Sequence, residues 1–322
     1  MSGMKDTQPA LALERVTKRY GAVTALREVS FSIPAGQTVG LLGRNGAGKT
    51  TALNLMTGYF PPTEGVVRVA GQDLAEEPRA CKRRIGFLPD RPPLYDEMTV
   101  AEYLRFVCDL REVAPRARAA HVEEILEKCG LTEVRERLLG QLSRGYRQRA
   151  GIAQALCGSP DILMLDEPTV GLDPRQTVEM RTLIRQLGRE RTVIFSSHLL
   201  SEVQELCARV LILQEGRLAG DVSLEAGGEA GGRLRLTVAE GSPRVLSALR
   251  QVPGVARVER QRGTETGEAE LLLEIAGDRA DREIRDQVFR TLAALDVPIR
   301  AMGEEQEGLE ALFLRLTADE EG

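Results

Sequence analysis

Apolar and polar residues alternate along residues 11–42 in short runs separated by glycine and proline. This period of two is typical of β-strands with one buried face, and the glycines and prolines mark turns between them. After residue 48 the apolar residues lie three and four apart. This change predicts a helix that begins between Gly48 and Thr50 and ends near Gly58. Residues 61–74 then predict a turn, a strand and a second turn.

Residues 98–158 carry three segments with the helical period, so we predict a helical subdomain there. Thr99 is a predicted N-cap, with Glu102 three residues later in a capping-box arrangement. A short strand, "RRIGFLP", precedes this subdomain. Residues 161–215 follow it and alternate continuous apolar strands with amphipathic helices. That alternation is typical of a parallel sheet covered on both faces, and it predicts an α/β domain over residues 1–222.

The chain changes character beyond this domain, where glycine dominates "EAGGEAGG" and predicts a linker over residues 223–232. Residues 233–322 form a predicted α+β accessory domain. Its strands and helices are expected at 233–239, 243–252, 254–261, 268–276, 280–295 and 297–302, with a last helix over 308–321. The order strand, helix, strand, strand, helix, strand is the ferredoxin-like arrangement.

Composition supports two domains and argues against a nucleic-acid-coating protein. Hydrophobic residues make up 42% of the 322 residues, which can fill sizeable cores, and the formal net charge is −5. The charge is uneven along the chain. From Asp221 onward there are 21 acidic residues against 13 arginines and no lysine, and this shift agrees with a boundary near residue 222.

The cysteines are odd in number and form no C-x-x-C pair, so we expect buried free thiols in a reducing compartment. They are Cys81, Cys108, Cys129, Cys157 and Cys207. No apolar run approaches the roughly 18 residues of a membrane span, and the first residues lack the apolar core of a signal peptide. These patterns predict a soluble, cytoplasmic protein.

Residues 43–51, "GRNGAGKTT", follow an apolar strand and precede a predicted helix. They fit G-x-x-x-x-G-K-[ST], in which successive backbone N–H groups converge on one anion and glycines keep side chains away. The helix adds the positive end of its dipole. Lys49 is expected to reach the β- and γ-phosphates, and the Thr50 hydroxyl to ligate Mg²⁺. The predicted nucleotide contacts are Asn45, Gly46, Ala47, Gly48, Lys49, Thr50 and Thr51.

A second acidic motif follows the strand in "DILMLDEP". Its apolar residues place Asp166 and Glu167 at the carboxyl end of the sheet, where ligands of open α/β sheets bind. Asp166 is expected to hold Mg²⁺ directly or through water. Glu167 is expected to orient and deprotonate the attacking water. The alternative is an acidic turn after a strand.

Together with these motifs, "LSRGYRQR" at residues 142–149 makes the chain resemble the nucleotide-binding subunits of ABC transporters, over residues 11 to about 220. The resemblance implies a P-loop ATPase core with an antiparallel β subdomain beside the helical insertion. It also implies that Ser143 and Gly145 close over the γ-phosphate of a nucleotide held by the other subunit. The residues on either side of Gly145 depart from the family's commonest Gly and Gln. Taken alone, the segment is a serine-capped basic helix start that suits an anion, or an exposed helix face.

The resemblance assigns roles to four further residues. It implies that Tyr20 stacks on adenine, that His198 contacts the γ-phosphate, and that Asp173 in "GLDP" communicates across a dimer. Ordinary structural roles are the alternatives for Tyr20 and His198. Asp90 stands where the family usually has Gln, and its carboxylate is a candidate ligand for the metal or its water; the alternative is a plain turn residue. His121 matches no motif and is expected to face solvent.

The motifs also predict an assembly. One chain has one P-loop and one signature, so two complete sites need two copies packed head to tail with twofold symmetry, with ATP and Mg²⁺ as cofactors. A separate integral membrane permease is the implied partner. The helical insertion and the loop "PDRPPLYDE" would be its coupling surface, and this would hold the protein on the inner face of the membrane. No nucleic acid is expected.

Within the family, "LPDRPPLYDEMTVAEYLRFVCDL" and the "FLRLT" tail resemble ATPase subunits of bacterial exporters in the gliding-motility, multidrug and copper-enzyme-maturation groups. Two other functions stay open. One is a soluble ABC ATPase that acts on ribosomes or DNA. The other is a P-loop kinase for a small molecule, which the signature and the Glu167–His198 pair disfavour.

Overall fold

A computed structural model describes residues 8–224, 233–261, 268–275, 282–305 and 313. The chain divides into two compact units, Met1–Leu224 and Glu225–Gly322. Among the helices in these ranges, none combines the length and the apolar character that a membrane crossing requires.

The described part of the first unit contains ten strands and seven α-helices. The strands are β1 (Leu11–Tyr20), β2 (Val23–Ile33), β3 (Thr38–Leu42), β4 (Glu64–Val69), β5 (Gln72–Asp73), β6 (Ile85–Leu88), β7 (Ile162–Asp166), β8 (Thr192–Ser197), β9 (Arg209–Gln214) and β10 (Arg217–Ser223). The helices are α1 (Lys49–Met56), α2 (Pro78–Arg83), α3 (Val100–Leu110), α4 (Pro115–Lys128), α5 (Arg144–Leu156), α6 (Pro174–Gly188) and α7 (Leu200–Leu206).

The central sheet has the order β10-β9-β3-β8-β7-β6. Every pairing from β9 to β6 is parallel, and β10 joins the edge antiparallel to β9. All residues of β7 and β8 are buried, as expected for strands covered on both faces. Asp166 pairs with Ser196, and Leu42 pairs with Ser197. The carboxyl ends of β3, β7 and β8 therefore meet at one edge, and the predicted parallel sheet is confirmed.

A second, antiparallel sheet has the order β2-β1-β4-β5. Leu11, Leu13 and Val16 of β1 are buried in the same apolar core as α1 and the central sheet. This sheet is the antiparallel β subdomain that the resemblance implied.

The helical insertion consists of α3, α4 and α5. The predicted capping box is present at the start of α3: the Thr99 hydroxyl accepts from the Glu102 N–H at 3.2 Å, and the Glu102 carboxylate accepts from the Thr99 N–H at 2.9 Å. His121 lies in α4, and the expectation that it faces solvent is wrong. Its side chain is only 14% exposed, and Nε2 accepts from the Gly158 N–H at 3.1 Å, because α4 lies against the end of α5.

The hydrophobic pattern of the sequence does not predict two elements of this unit. Helix α2 has six residues, of which only Cys81 is buried, and β10 has no fully buried residue. Strand β10 also corrects the start of the predicted linker. It extends to Ser223, which pairs with Arg209, and the Leu224 N–H still donates to a carbonyl at 2.7 Å. The rest of that linker, residues 225–232, lies outside the described residues.

The second unit has the elements β11 (Arg233–Val238), α8 (Pro243–Arg250), β12 (Val255–Arg260), β13 (Ala269–Ile275), α9 (Arg282–Ala294) and β14 (Ile299–Glu305). Its sheet is antiparallel throughout, in the order β12-β13-β11-β14, and this has the ferredoxin-like arrangement expected of a βαββαβ unit. Its core includes Leu236, Leu249, Leu271, Val288 and Leu292. Apart from Phe313, the predicted last helix lies outside the described residues.

All five cysteines are buried free thiols, as predicted. Burial raises the pKa of Cys129 to about 12, so this thiol stays protonated at neutral pH.

Candidate nucleotide site

The loop between β3 and α1 is folded around the ammonium group of Lys49. Lys49 is 6% exposed, and its Nζ donates to the carbonyl oxygens of Gly43 at 2.8 Å and Arg44 at 3.4 Å. Gly48 has a φ of 102°, and a Cβ there would lie 2.9 Å from the Ala25 carbonyl oxygen. Only glycine fits this position, which sets the direction in which α1 begins. The first N–H groups of a helix have no partner within the helix, so those of α1 are available to an anion beside Lys49.

Asp166 ends β7 as a buried carboxylate. It is 1% exposed, and the Ser196 hydroxyl donates to its Oδ1 at 2.6 Å. Burial raises its pKa, hydrogen bonds from Ser196 and Thr50 oppose the rise, and the charges of Glu167 and Asp90 add to it. Thr50 and Asp90 therefore lie close enough to act on the Asp166 carboxyl group.

Glu167 lies at the centre of the cluster. Its backbone is held at a φ of 49°, a left-handed conformation that few non-glycine residues adopt, and its N–H donates to the Ser196 hydroxyl at 2.9 Å. One carboxylate oxygen lies 3.4 Å from Lys49 Nζ, and the other lies 2.7 Å from Nδ1 of His198. The strained turn thus aims a carboxylate between the P-loop lysine and a histidine, a suitable arrangement for a general base.

The donor set fits a magnesium ion bound together with a nucleotide. Mg²⁺ prefers oxygen ligands and is usually held by one or two carboxylates plus substrate phosphates. The Asp166 carboxylate and the Thr50 hydroxyl supply such oxygens beside the P-loop, with Asp90 nearby. Among the described residues, no three His, Cys, Asp or Glu side chains converge as a metal site of their own.

The signature segment forms the start of helix α5. Ser143 caps α5 and accepts from the Tyr146 N–H at 3.4 Å, while Asp173 caps α6 and accepts from the Gln176 N–H at 2.8 Å. Gly145 and Asp173 line one cleft of about 340 Å³. Within residues 8–224, no hydrogen bond or ion pair joins Ser143 or Gly145 to the P-loop.

Known proteins are similar to this chain in sequence and in fold. The ABC transporter family matches residues 26–170. The ABC transporter ATP-binding protein NatA of Bacillus subtilis is 40% identical over 214 residues, which cover 66% of this chain and 87% of NatA.

The chain belongs to the ABC transporter family.

Other relatives of the ABC family extend this likeness. The linearmycin resistance ATP-binding protein LnrL of Bacillus subtilis is 31% identical over 95% of this chain and 98% of its own length. The bacitracin transport ATP-binding protein BcrA of Bacillus licheniformis is 37% identical over 65% of this chain and 68% of its own. A dimeric ATP-binding cassette in a post-hydrolysis state, bound to ADP and Pi, has a TM-score of 0.61 and 26% identity over 67% of this chain and 99% of that one.

This ABC chain is therefore an ATP-binding, ATP-hydrolysing subunit that drives a membrane permease, and ATPases of its family dimerise. Its fold class is the P-loop ABC ATPase predicted from the sequence.

Tyr20 is the last residue of β1 and is 46% exposed. The ring packs edge-on against Phe60 at 5.7 Å between centroids, and Lys18 Nζ lies 5.3 Å from its centroid. An exposed, supported ring of this kind can stack on a base.

The structure adds residues that the motifs do not name. Ser196 bonds both Asp166 and Glu167, and the buried Glu202 joins Thr169 to Ser197. The available signal was polarity: a serine pair ends an otherwise apolar strand, and a glutamate lies four residues after His198.

The residue before Gly145 also has a packing partner. The guanidinium of Arg144 occupies the space that a Cβ on Gly171 would need. Arg144 stands where the family most often has Gly, and its side chain is accommodated because Gly171, in the loop that leads to Asp173, has no side chain.

Proposed function

We propose that the chain hydrolyses MgATP at two composite sites in a head-to-tail homodimer. Each site combines the cluster around Glu167 in one copy with the Ser143 surface of the other. The observation that carries this proposal is that, within residues 8–224, no hydrogen bond or ion pair joins the Ser143 segment to the P-loop cluster of the same chain. Glu167 contacts both Lys49 and His198, whereas Gly145 lines the cleft beside Asp173 and Ser143 caps the same helix as Gly145. Two copies related by a twofold axis would complete both sites.

Within each site, Lys49 releases its loop carbonyls and binds the β- and γ-phosphates together with the N–H groups of residues 45–51. Glu167 accepts the proton of the attacking water, and His198 holds the Glu167 carboxylate and contacts the γ-phosphate. Asp166 and Thr50 would hold Mg²⁺, which neutralises phosphate charge when bound.

Three further residues complete the proposed site. Tyr20 stacks on the adenine, supported by Phe60. Asp90 binds the metal or one of its waters, because its charge already acts on Asp166. Asp173 faces the second copy from the start of α6. ATP then acts as a bridge between the two copies, and loss of the γ-phosphate shifts the population towards the open state.

A groove in the first unit supports the permease as the partner. Its volume is about 800 Å³, and it lies between the loop after β6 and helix α3. Aromatic side chains line it: Tyr59, Phe87, Tyr95, Tyr103 and Phe106. Tyr95 is 52% exposed and packs against Tyr103 and Phe106 at 5.8 and 5.6 Å. An apolar face of this shape suits an amphipathic helix from a membrane protein.

We propose export as the direction of transport. Relatives named for linearmycin resistance and bacitracin transport support it. Through the permease the chain would sit on the inner face of the membrane. No nucleic acid takes part, in keeping with the net charge of −5.

Affinity purification from detergent-solubilised membranes tests the partner. The wild-type chain should retain a polytopic membrane protein, and Tyr95→Asp should lose it because a charge enters the apolar groove. Val178→Asp is the matched control, since Val178 is 61% exposed on α6, outside the groove. Recovery of ribosomes or DNA in place of a membrane protein would contradict the proposal.

A further inference from the structure

A buried carboxylate lies behind the catalytic cluster without touching the nucleotide loop. Glu202, on α7, is 1% exposed. Its Oε2 accepts from the hydroxyls of Thr169 and Ser197, both at 2.9 Å, and its Oε1 accepts from Arg181 Nη2 at 3.3 Å. Charged groups are seldom this buried, and this one is tolerated because each oxygen is bonded.

The partners of Glu202 belong to three separate segments. Thr169 lies in the turn between β7 and α6, Ser197 ends β8, and Arg181 lies on α6. Through one carboxylate, α7 therefore contacts the turn after β7, the end of β8 where the next turn begins, and helix α6. Arg181 also donates to Glu205 of α7 at 2.8 Å, which strengthens the contact between the two helices.

Each of the two turns carries residues of the ATPase site. The Val170 N–H donates to the Glu167 carbonyl oxygen, and the Leu172 N–H donates to that of Thr169, both at 3.2 Å. These bonds make a short, continuous turn from Glu167 to Asp173. On the other side, Ser197 directly precedes His198 and its hydroxyl accepts from the Leu199 N–H at 3.0 Å. The shared carboxylate thus sets the distance between the base turn and the histidine turn.

We infer that Glu202 is a positioning residue for ATP hydrolysis. Through Thr169 and Ser197 it holds Glu167 and His198 in contact and fixes the turn that presents Asp173. It does so without touching the P-loop, so it acts on the hydrolytic step and not on nucleotide affinity. The inference rests on the proposed roles of Glu167 and His198.

Thr169→Val and Thr169→Ser form a matched pair that tests it. Valine keeps the shape of threonine and removes the hydroxyl, whereas serine keeps the hydroxyl. At saturating MgATP, Thr169→Val should lower kcat about tenfold and leave KM for ATP within about twofold, because a hydrogen bond to a buried charge is lost far from the phosphates. Thr169→Ser should retain kcat within about twofold.

The assay is run well below the thermal transition of every variant, so that a loss of folded protein cannot mimic a loss of rate. Ser197→Ala supplies an independent variant if Thr169→Val does not fold. It should likewise lower kcat and leave KM for ATP unchanged. The double variant should lose less than the product of the two single losses, since both hydroxyls serve one carboxylate.

A kcat for folded Thr169→Val equal to that of Thr169→Ser would overturn the inference, as would a rise in KM without a fall in kcat. Glu167→Gln separates this failure from failure of the proposed function. If Glu167→Gln abolishes hydrolysis while Thr169→Val is fully active, only the role of Glu202 is wrong. If Glu167→Gln hydrolyses ATP normally, the proposed base is wrong.

Discussion

Replacing Ser196 by Ala removes one oxygen atom from the point where the two acidic residues of the site meet. The Ser196 hydroxyl accepts from the Glu167 N–H at 2.9 Å and donates to Asp166 at 2.6 Å. Ser196 is 0% exposed, so water cannot take the place of either bond without a rearrangement. The substitution leaves a buried carboxylate and a buried backbone donor each short of a partner.

The magnitude follows from these two bonds. A hydrogen bond to a charged group contributes about 1.5–3 kcal/mol, and an unsatisfied buried donor costs about 1–3 kcal/mol. The two losses share one site and are not additive, so we expect Ser196→Ala to lower the free energy of unfolding by about 3 kcal/mol. In a unit of this size, 1 kcal/mol shifts Tm by about 2–4 °C, which gives a fall of about 6–12 °C.

Thermal unfolding followed by circular dichroism measures the effect. Ser201→Ala is the matched control, because Ser201 is exposed on α7 and the same oxygen is deleted; its Tm should change by less than about 2 °C. The kcat of Ser196→Ala should also fall at least tenfold, since the turn at Glu167 loses its anchor. A Tm and a kcat equal to those of Ser201→Ala would refute the role given to this hydroxyl.

Three further predictions concern other parts of the site. Tyr20→Ala should weaken ATP binding about tenfold by calorimetry, because one stacking contact is lost, and Tyr20→Phe should not; equal affinities would refute base stacking. Gly48→Ala should lower Tm more than Gly36→Ala, since both have positive φ but only the Cβ at Gly48 would meet a carbonyl oxygen, at 2.9 Å; equal shifts would contradict this. Because the pKa of Asp166 is raised, the folded state keeps this proton to higher pH than the unfolded state, so the free energy of unfolding falls as pH rises from the ordinary aspartate value to the raised one. In thermal melts between pH 4 and 7, Asp166→Asn should lack this fall in stability with rising pH. A pH profile identical to that of the wild type would contradict the prediction.

The strands and helices of the first unit follow from hydrophobic periodicity, because most of them bury a continuous or alternating face. Helix α2 and strand β10 do not, and their hydrophobic pattern is too weak to reveal them. The phosphate loop and the acidic pair are local motifs, so spacing alone identifies them. His121 is different: its exposure depends on where α4 lies against Gly158, a contact 37 residues away.

The buried supports of the site were also beyond sequence reasoning. Apart from Ser197, which is five residues from Glu202, the partners of Ser196 and Glu202 lie 21 to 33 residues distant along the chain. Nothing in their local spacing distinguishes them from a strand serine and a helix glutamate. The register of β7 and β8 places Asp166 beside Ser196, and the folded chain brings Thr169 and Arg181 to Glu202.

The mass of Glu167→Gln in saturating MgATP, measured by light scattering, tests the composite site most directly. The substitution removes the proposed base and leaves the proposed phosphate contacts, so a bridging nucleotide should hold two copies together at twice the chain mass of 35.3 kDa. Adding Ser143→Arg in the same chain should return the protein to the monomer mass while ATP binding by calorimetry is retained. A Glu167→Gln chain that binds ATP and stays at 35.3 kDa, or a dimer that Ser143→Arg leaves intact, would contradict the account.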